Sequence, residues 1–104
     1  MINIIVEKKE NKISRLTISG HALFDEHGKD IVCAGVSTIA IGGLNAINEF
    51  GLMDYCEYTV DEGHVDMLIK DCVKNELQVI LETLYIQFKT IEESYSNYIS
   101  IQEV

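Results

Sequence analysis

Short segments in which apolar and polar residues alternate place the strongest constraint on the fold of this chain. The segment 2–6 alternates in this way, and a turn near residues 10–11 leads into a second segment at 13–19. Residues 55–70 have the pattern of another hairpin, and 98–104 that of a last strand. Such alternation is typical of strands buried on one face only. The residues expected on the buried faces are Ile2, Ile4, Val6, Leu16, Ile18, Cys56, Tyr58, Val60, Val65, Met67, Ile69, Ile99 and Ile101.

Two longer segments carry apolar residues at intervals of three and four positions, which predicts amphipathic helices. They run from Ile31 to Phe50 and from about Glu76 to Tyr95. The stripe of the first helix comprises Val32, Val36, Ile39, Gly43, Ile47 and Phe50. The stripe of the second comprises Leu77, Ile80, Leu81, Leu84, Phe88, Ile91 and Tyr95.

Polar residues and a glycine stand where helix ends are expected. Asp30 precedes the first helix, where its carboxylate could accept from unpaired backbone amides, and Gly51 follows that helix as a stop. Asn75 precedes the second helix, with Gln78 three residues further on in the position of a capping box.

The predicted order is therefore β-β-α-β-β-α-β in a single domain over residues 1–104. Two helices on one face of a mostly antiparallel sheet would bury all the apolar stripes together. We expect an α+β fold, a two-layer sandwich.

Charge and composition exclude several classes of function. The net charge of −9 disfavours nucleic-acid binding, which depends on Lys and Arg, and would instead attract a basic partner. We find no apolar run near the roughly 20 residues that span a bilayer, so no membrane partner is expected. The first residues lack the pattern of a secretory signal, and three widely spaced cysteines form no disulfide framework. A cytoplasmic location is therefore expected.

The segment GHALFDEHGKDIVCAGVS, residues 20–37, concentrates the residues capable of chemistry. Cys33 is expected at the start of the first helix, where unpaired amides stabilise a thiolate or an oxyanion. His21 could take the thiol proton and return it to a leaving amine. Ser37 lies one helical turn after Cys33 and could bond near the sulfur or position the substrate. Asp30 could cap the helix or orient His21, and the residues alone do not decide between these roles.

Three other interpretations remain open on the residues alone. Cys33 could be a small core residue and His21 a turn residue, with no chemistry at either. His21, Asp25, His27 and Cys33 are all zinc-ligand types, although their spacing matches no ligand template that we can derive. The chain could also be a non-catalytic module that binds a basic partner through its acidic surface.

GHA followed by GKDIVCAGVS resembles the signature of the bacterial ribosomal-processing cysteine protease family, Prp. The resemblance extends over the whole chain. It implies that His21 and Cys33 form the catalytic pair, and that Asp30 and Ser37 support them. It also implies that the segment from Ala22 to Lys29 moves when substrate binds, with Gly28 as a hinge candidate.

The same resemblance implies the substrate and the assembly. Members of the family remove a short N-terminal extension from a large-subunit ribosomal protein, cutting after aromatic residues and before a small one. They are typically homodimers, and their mechanism needs neither a cofactor nor a metal. An acidic enzyme acting on a basic ribosomal-protein tail agrees with the charge of −9.

Overall fold

The computed structural model describes residues 1–20 and 29–104, with Lys29 and Asp30 described by their backbone alone. In chain order the elements are β1 (Ile2–Lys9), β2 (Lys12–Ser19), α1 (Lys29–Glu49), a 3-10 turn (Met53–Tyr55), β3 (Cys56–Asp61), β4 (His64–Ile69), α2 (Asn75–Ser94) and β5 (Ile99–Glu103). The predicted order β-β-α-β-β-α-β and the α+β class are confirmed.

The five described strands form one sheet in the order β3-β4-β2-β1-β5. Three of the four strand pairs are antiparallel, and β1 with β5 is the parallel pair. The mostly antiparallel sheet agrees with the prediction. The strands β3 and β5 are the edges of this sheet, a consequence of strand order that the sequence pattern did not contain.

A bulge in the first hairpin explains why apolar residues on β2 depart from strict alternation. The tight turn between β1 and β2 places Glu10 and Asn11 at positive φ, 53° and 65°. Beyond it the register shifts, so that Arg15 pairs with Glu7 but Ile13 pairs with Lys8. The extra residue lets Ile13 face the core together with Leu16, three positions away.

The core lies between the helices and one face of the sheet. Each helix contributes a buried stripe, and the four central β-strand residues Ile4, Val6, Ile13 and Met67 are fully buried beneath them. The buried hydrophobic side chains of the helices are Val32, Val36, Ala40, Leu44, Ile47, Leu77, Leu81, Leu84, Tyr85 and Phe88.

The expectation that no segment is apolar enough to span a bilayer is wrong for helix α1. Its 19 residues Ile31–Glu49 have a mean hydropathy of 1.6 and are long and apolar enough to cross a membrane. The core helix of a folded domain passes the same test, and α1 packs its buried stripe against the sheet and α2.

The expected caps were correct at only one of three helix ends. Helix α1 begins at Lys29, so Asp30 lies inside its first turn and not at the N-cap. Helix α2 begins at Asn75 itself, and the N-cap residue Lys74 makes no side-chain cap hydrogen bond. The stop at Gly51 is confirmed, since this residue follows α1 with φ of +72°.

Gln78 has a different role from the predicted capping box. Its side chain is buried, accepting a hydrogen bond from the backbone amide of Ile13 at 2.8 Å and donating to the carbonyl of the same residue at 2.8 Å. The residue thus connects α2 to the bulged part of β2. A capping box would instead require the Gln78 side chain to accept a hydrogen bond from a backbone amide at the start of α2. This side chain is bonded to Ile13.

Three residues predicted to be buried are exposed. Phe50 lies beyond the last residue of α1 and is 71% exposed. Tyr58 and Val60 are 53% and 45% exposed although Cys56, on the same strand, is buried. The strand β3 is at the sheet edge, where the helical layer does not cover its outer half.

Candidate active site

Cys33 lies in the second turn of α1 and not in the first, because the helix begins two residues earlier than predicted. The backbone amides without a partner inside a helix are those of its first four residues. In α1 these are residues 29–32, the turn directly before Cys33. Side chains on a helix tilt toward the amino terminus. The half-buried Cys33 side chain is therefore directed back toward the first turn, where its amides and dipole act.

Cys33 and Ser37 line the same small cavity between α1 and the sheet. Its other described lining residues are Ile2, Ile18, Val36, Ala40, His64 and Val65. Its volume of about 20 Å³ is enough for one water molecule and too small for an aromatic ring. The predicted proximity of Ser37 to Cys33 is thus found, on a mostly apolar floor.

His64 lines this cavity, but strand alternation directs its imidazole to the other face of the sheet. Val65, Met67 and Ile69 of β4 pack toward the helices, so His64 and Asp66 share the open face. Their electrostatic interaction agrees with this placement, since His64 contributes to the lowered pKa of Asp66. Strand alternation therefore places His64 on the face of the sheet away from Cys33, and we do not assign it as the base.

An ion pair organises the open face beside His64. Arg15 donates from Nε and Nη2 to the two carboxylate oxygens of Asp66 at 2.9 and 2.8 Å, and Thr17 donates to the same carboxylate at 3.1 Å. The hydrogen bonds from Arg15, followed by that from Thr17, hold the pKa of Asp66 below its ordinary value although burial opposes this. The pair fixes β2 against β4 on the side of the sheet away from Cys33.

Gly20 controls how the chain leaves β2 immediately before His21. Its φ is +85°, a conformation that other residues rarely adopt. A Cβ at this position would overlap the carbonyl oxygen of Met1. The glycine of the GHA triplet is therefore required by the backbone, a role that we did not assign from the sequence. Its signal was the glycine placed directly between a predicted strand and a candidate catalytic residue.

The other two cysteines are free thiols in different surroundings. Cys56 is buried, and burial raises the pKa of its thiol to about 11. Cys72 is half-buried between β4 and α2, with its sulfur 3.9 Å from the carbonyl oxygen of Ile69. The high pKa keeps Cys56 protonated at neutral pH, and its burial agrees with the position predicted for it on the buried face of a strand.

Several predicted residues lie outside the described part of the chain. His21 and Gly28 belong to the segment 21–28, as do the alternative zinc ligands Asp25 and His27, and the side chain of Asp30 is also outside the description. The roles predicted for them stay predictions. Among the residues described, Cys33 and Ser37 are the predicted site residues that the fold brings together.

Comparisons with known proteins match this chain to one protein family. The family model described as "Cysteine protease Prp" matches residues 1–100. A protein of Staphylococcus aureus named ribosomal processing cysteine protease Prp is 36% identical over 100 residues, 93% of this chain and 92% of the relative. The Bacillus subtilis protein of the same name is 28% identical over 103 residues, with coverage of 93% and 92%.

Two solved structures of the Staphylococcus aureus protease are similar over the full length of both chains. The complex with a substrate peptide has a TM-score of 0.89 at 32% identity. The complex with a covalently linked product peptide has a TM-score of 0.86 at 34% identity.

Proposed function

This chain belongs to the Prp family of cysteine proteases, and on that premise we propose that it removes the N-terminal extension of a large-subunit ribosomal protein. Cleavage follows an aromatic residue and precedes a small one. The observation that supports this most is the placement of Cys33 and Ser37 on one face of α1, above a cavity at the sheet. The names of the relatives, ribosomal processing proteases, support the class of substrate.

The proposed nucleophile is the thiolate of Cys33, and His21 is the base that receives its proton. The sulfur attacks the scissile carbonyl carbon, and the resulting oxyanion accepts hydrogen bonds from amides in the first turn of α1. His21 then donates its proton to the leaving amine, and a water molecule hydrolyses the thioester. Ser37, one turn along the same face, positions the substrate near the sulfur.

The start of α1 at Lys29 bears on the proposed role of Asp30. Because α1 begins at Lys29, Asp30 lies within the first turn and is not the N-cap residue. The remaining proposed role is to orient His21 as the third member of a Cys-His-Asp arrangement.

We also propose that the protein acts in the cytoplasm as a homodimer, as its resemblance to the family implies. Ribosomal proteins depend on Lys and Arg to neutralise phosphates, so their precursors are attracted to a chain of net charge −9. Light scattering after gel filtration measures the assembly directly: a mass twice the 11.7 kDa of the chain supports the dimer, and a single-chain mass contradicts it.

The experiment that tests this function uses a purified ribosomal-protein precursor with its extension. We expect the wild-type protein and Cys72→Ala to release the extension after an aromatic residue, as identified by mass spectrometry. Cys33→Ala should release none while still binding the precursor. Cleavage by Cys33→Ala at the wild-type rate would contradict the mechanism. An intact precursor with the wild-type protein would favour the non-catalytic binding module.

A further inference from the structure

A groove runs along α1 away from Cys33 and is bounded on its other side by β3. Its volume is about 320 Å³, and its lining is Ile41, Leu44, Asn45, Asn48, Met53, Tyr58 and Val60. This groove contains the two residues, Tyr58 and Val60, that were expected in the core and are found exposed. An exposed apolar surface at a sheet edge is typical of a binding surface.

The groove and the cavity at Cys33 lie along the same face of α1. Positions 33, 37, 41, 44 and 48 of α1 follow one another at intervals of three and four residues, so they share one face of the helix. On the sheet, Val60 pairs directly with Val65, which lines the cavity below Cys33. Val60 therefore lies one strand, about 5 Å, from the strand that lines the cavity below Cys33.

The backbone of β3 has hydrogen-bonding groups that point away from the sheet. The backbone amide of Lys70 donates to the carbonyl of Tyr55 at 2.7 Å. In the same register, the odd-numbered residues of β3 are the ones that form hydrogen-bonded pairs with β4. Since paired and unpaired positions alternate in an antiparallel ladder, the amides and carbonyls of Tyr58 and Val60 face outward. In the sheet of the described residues no strand lies beyond them.

The charge around the groove favours a basic occupant. From Asp30 to Ile69 the sequence has seven Asp and Glu residues and no Lys or Arg. Asp54, Glu57 and Asp61 of this stretch are exposed on β3 and on the turn before it. The partner that matches this surface is an extended, basic peptide with apolar side chains.

We propose that one flank of the substrate peptide adds to β3 as a further strand, pairing with the outward backbone groups of Tyr58 and Val60. This inference rests on the proposed protease function and adds a specificity site to it. From Cys33 to Ile41 and to Asn48 the helix rises about 12 and 22 Å. An extended chain covers about 3.3 Å per residue, so the contacts involve peptide residues roughly four to seven positions from the scissile bond.

The first test compares Val60→Pro with Val60→Ala, using one peptide with about eight residues on each side of the scissile bond and another with about three. Proline removes the outward amide without removing a hydrogen bond inside the sheet, which an edge strand tolerates. We expect Val60→Pro to raise KM for the long peptide about tenfold at unchanged kcat, because a strand-adding peptide loses a backbone partner. KM for the short peptide should not change, and Val60→Ala should have the smaller effect. Val79→Ala, an exposed position on α2, is the control and should match the wild type for both peptides.

The second test needs no variant at Val60 and remains informative if Val60→Pro does not fold. Peptides with a single N-methyl group at each successive position are measured for cleavage by the wild-type protein. Strand addition predicts weakened binding at every second position on one flank, since only alternate amides face β3. Equal binding of all the N-methyl peptides would overturn the proposal.

Binding to the Cys33→Ala protein separates this proposal from the protease function. The labelled long peptide should bind Cys33→Ala about tenfold more tightly than it binds Cys33→Ala combined with Val60→Pro. If no peptide is cleaved but this difference is found, the protease function fails and the β3 surface stands. Equal affinities would overturn the proposal. A Val60→Pro protein that changes from dimer to monomer with unchanged KM would also overturn it, and would assign the β3 edge to contact with a second copy of the chain.

Discussion

Adjacent glycines on α1 are expected to respond to alanine in opposite directions. A Cβ on Gly43 would lie 2.5, 2.8 and 3.1 Å from the Cδ1, Cδ2 and Cγ atoms of Leu84 on α2. A Cβ on Gly42 would meet nothing within 4 Å. Both substitutions gain helix propensity, about 0.5–1 kcal/mol each. The difference between them therefore isolates the contact between the two helices.

The magnitude follows from the fate of Leu84. This side chain is buried, and both of its Cδ atoms would come within 3 Å of the new Cβ, so it must change rotamer or the helices must separate. Overpacking of this kind costs about 1–3 kcal/mol. Gly42→Ala should then raise the free energy of unfolding by about 0.5–1 kcal/mol, whereas Gly43→Ala should lower it by up to about 2 kcal/mol. Urea denaturation of the two variants beside the wild type measures both values. Equal stabilisation by Gly42→Ala and Gly43→Ala would refute the close packing of α1 on α2.

Three other residues give sharp expectations. Gly20→Ala should reduce kcat at least tenfold and lower Tm, because positive φ and the nearby Met1 carbonyl force a shift directly before His21; wild-type kinetics would contradict the positioning role. Gln78→Leu should cost about 2 kcal/mol in urea denaturation, since it leaves the buried amide of Ile13 without its side-chain acceptor; unchanged stability would argue against that bond. The lowered pKa of Asp66 means that its stabilisation is complete above the unfolded-state pKa of about 3.9 and is lost as pH falls through the folded-state pKa. Stability curves of Asp66→Asn and wild type should therefore converge in acid, and curves that stay parallel would contradict this coupling.

Patterns of periodicity predicted the elements of this fold because each pattern is local. Neighbouring residues determine the order of strands and helices along the chain. They also determine the hairpin turn at Glu10 and Asn11 and the stop at Gly51. The exposure of Tyr58 and Val60 does not, because it depends on β3 being an edge of the sheet. The order of strands within the sheet arises from contacts between distant segments, and the alternation of residues along one strand does not predict it.

The predicted caps failed for a related reason. Asn75 and Gln78 have the spacing of a capping box, but the Gln78 side chain reaches a bulge 65 residues away in sequence and bonds to Ile13. Asp30 matches an N-cap by residue type, and the helix extends past it to Lys29. In both cases local preference was weaker than the arrangement of the surrounding chain.

The candidate site was partly accessible from sequence. The placement of Cys33 and Ser37 at one cavity follows from their spacing on a helix. The floor formed by Ile18 and Val65 could not be predicted, since it joins residues from β2 and β4. The relevance of Gly20 became clear only from its φ and from its approach to Met1.

The central claim is that Cys33 is the nucleophile, and partial alkylation tests it most directly. The protein is treated with iodoacetamide at neutral pH, and activity is measured beside the extent of modification of Cys33, Cys56 and Cys72 by peptide mass spectrometry. We predict that activity falls in proportion to modification of Cys33, and that Cys56, with its pKa of about 11, stays unmodified. Full activity in protein whose Cys33 is completely alkylated would contradict the account.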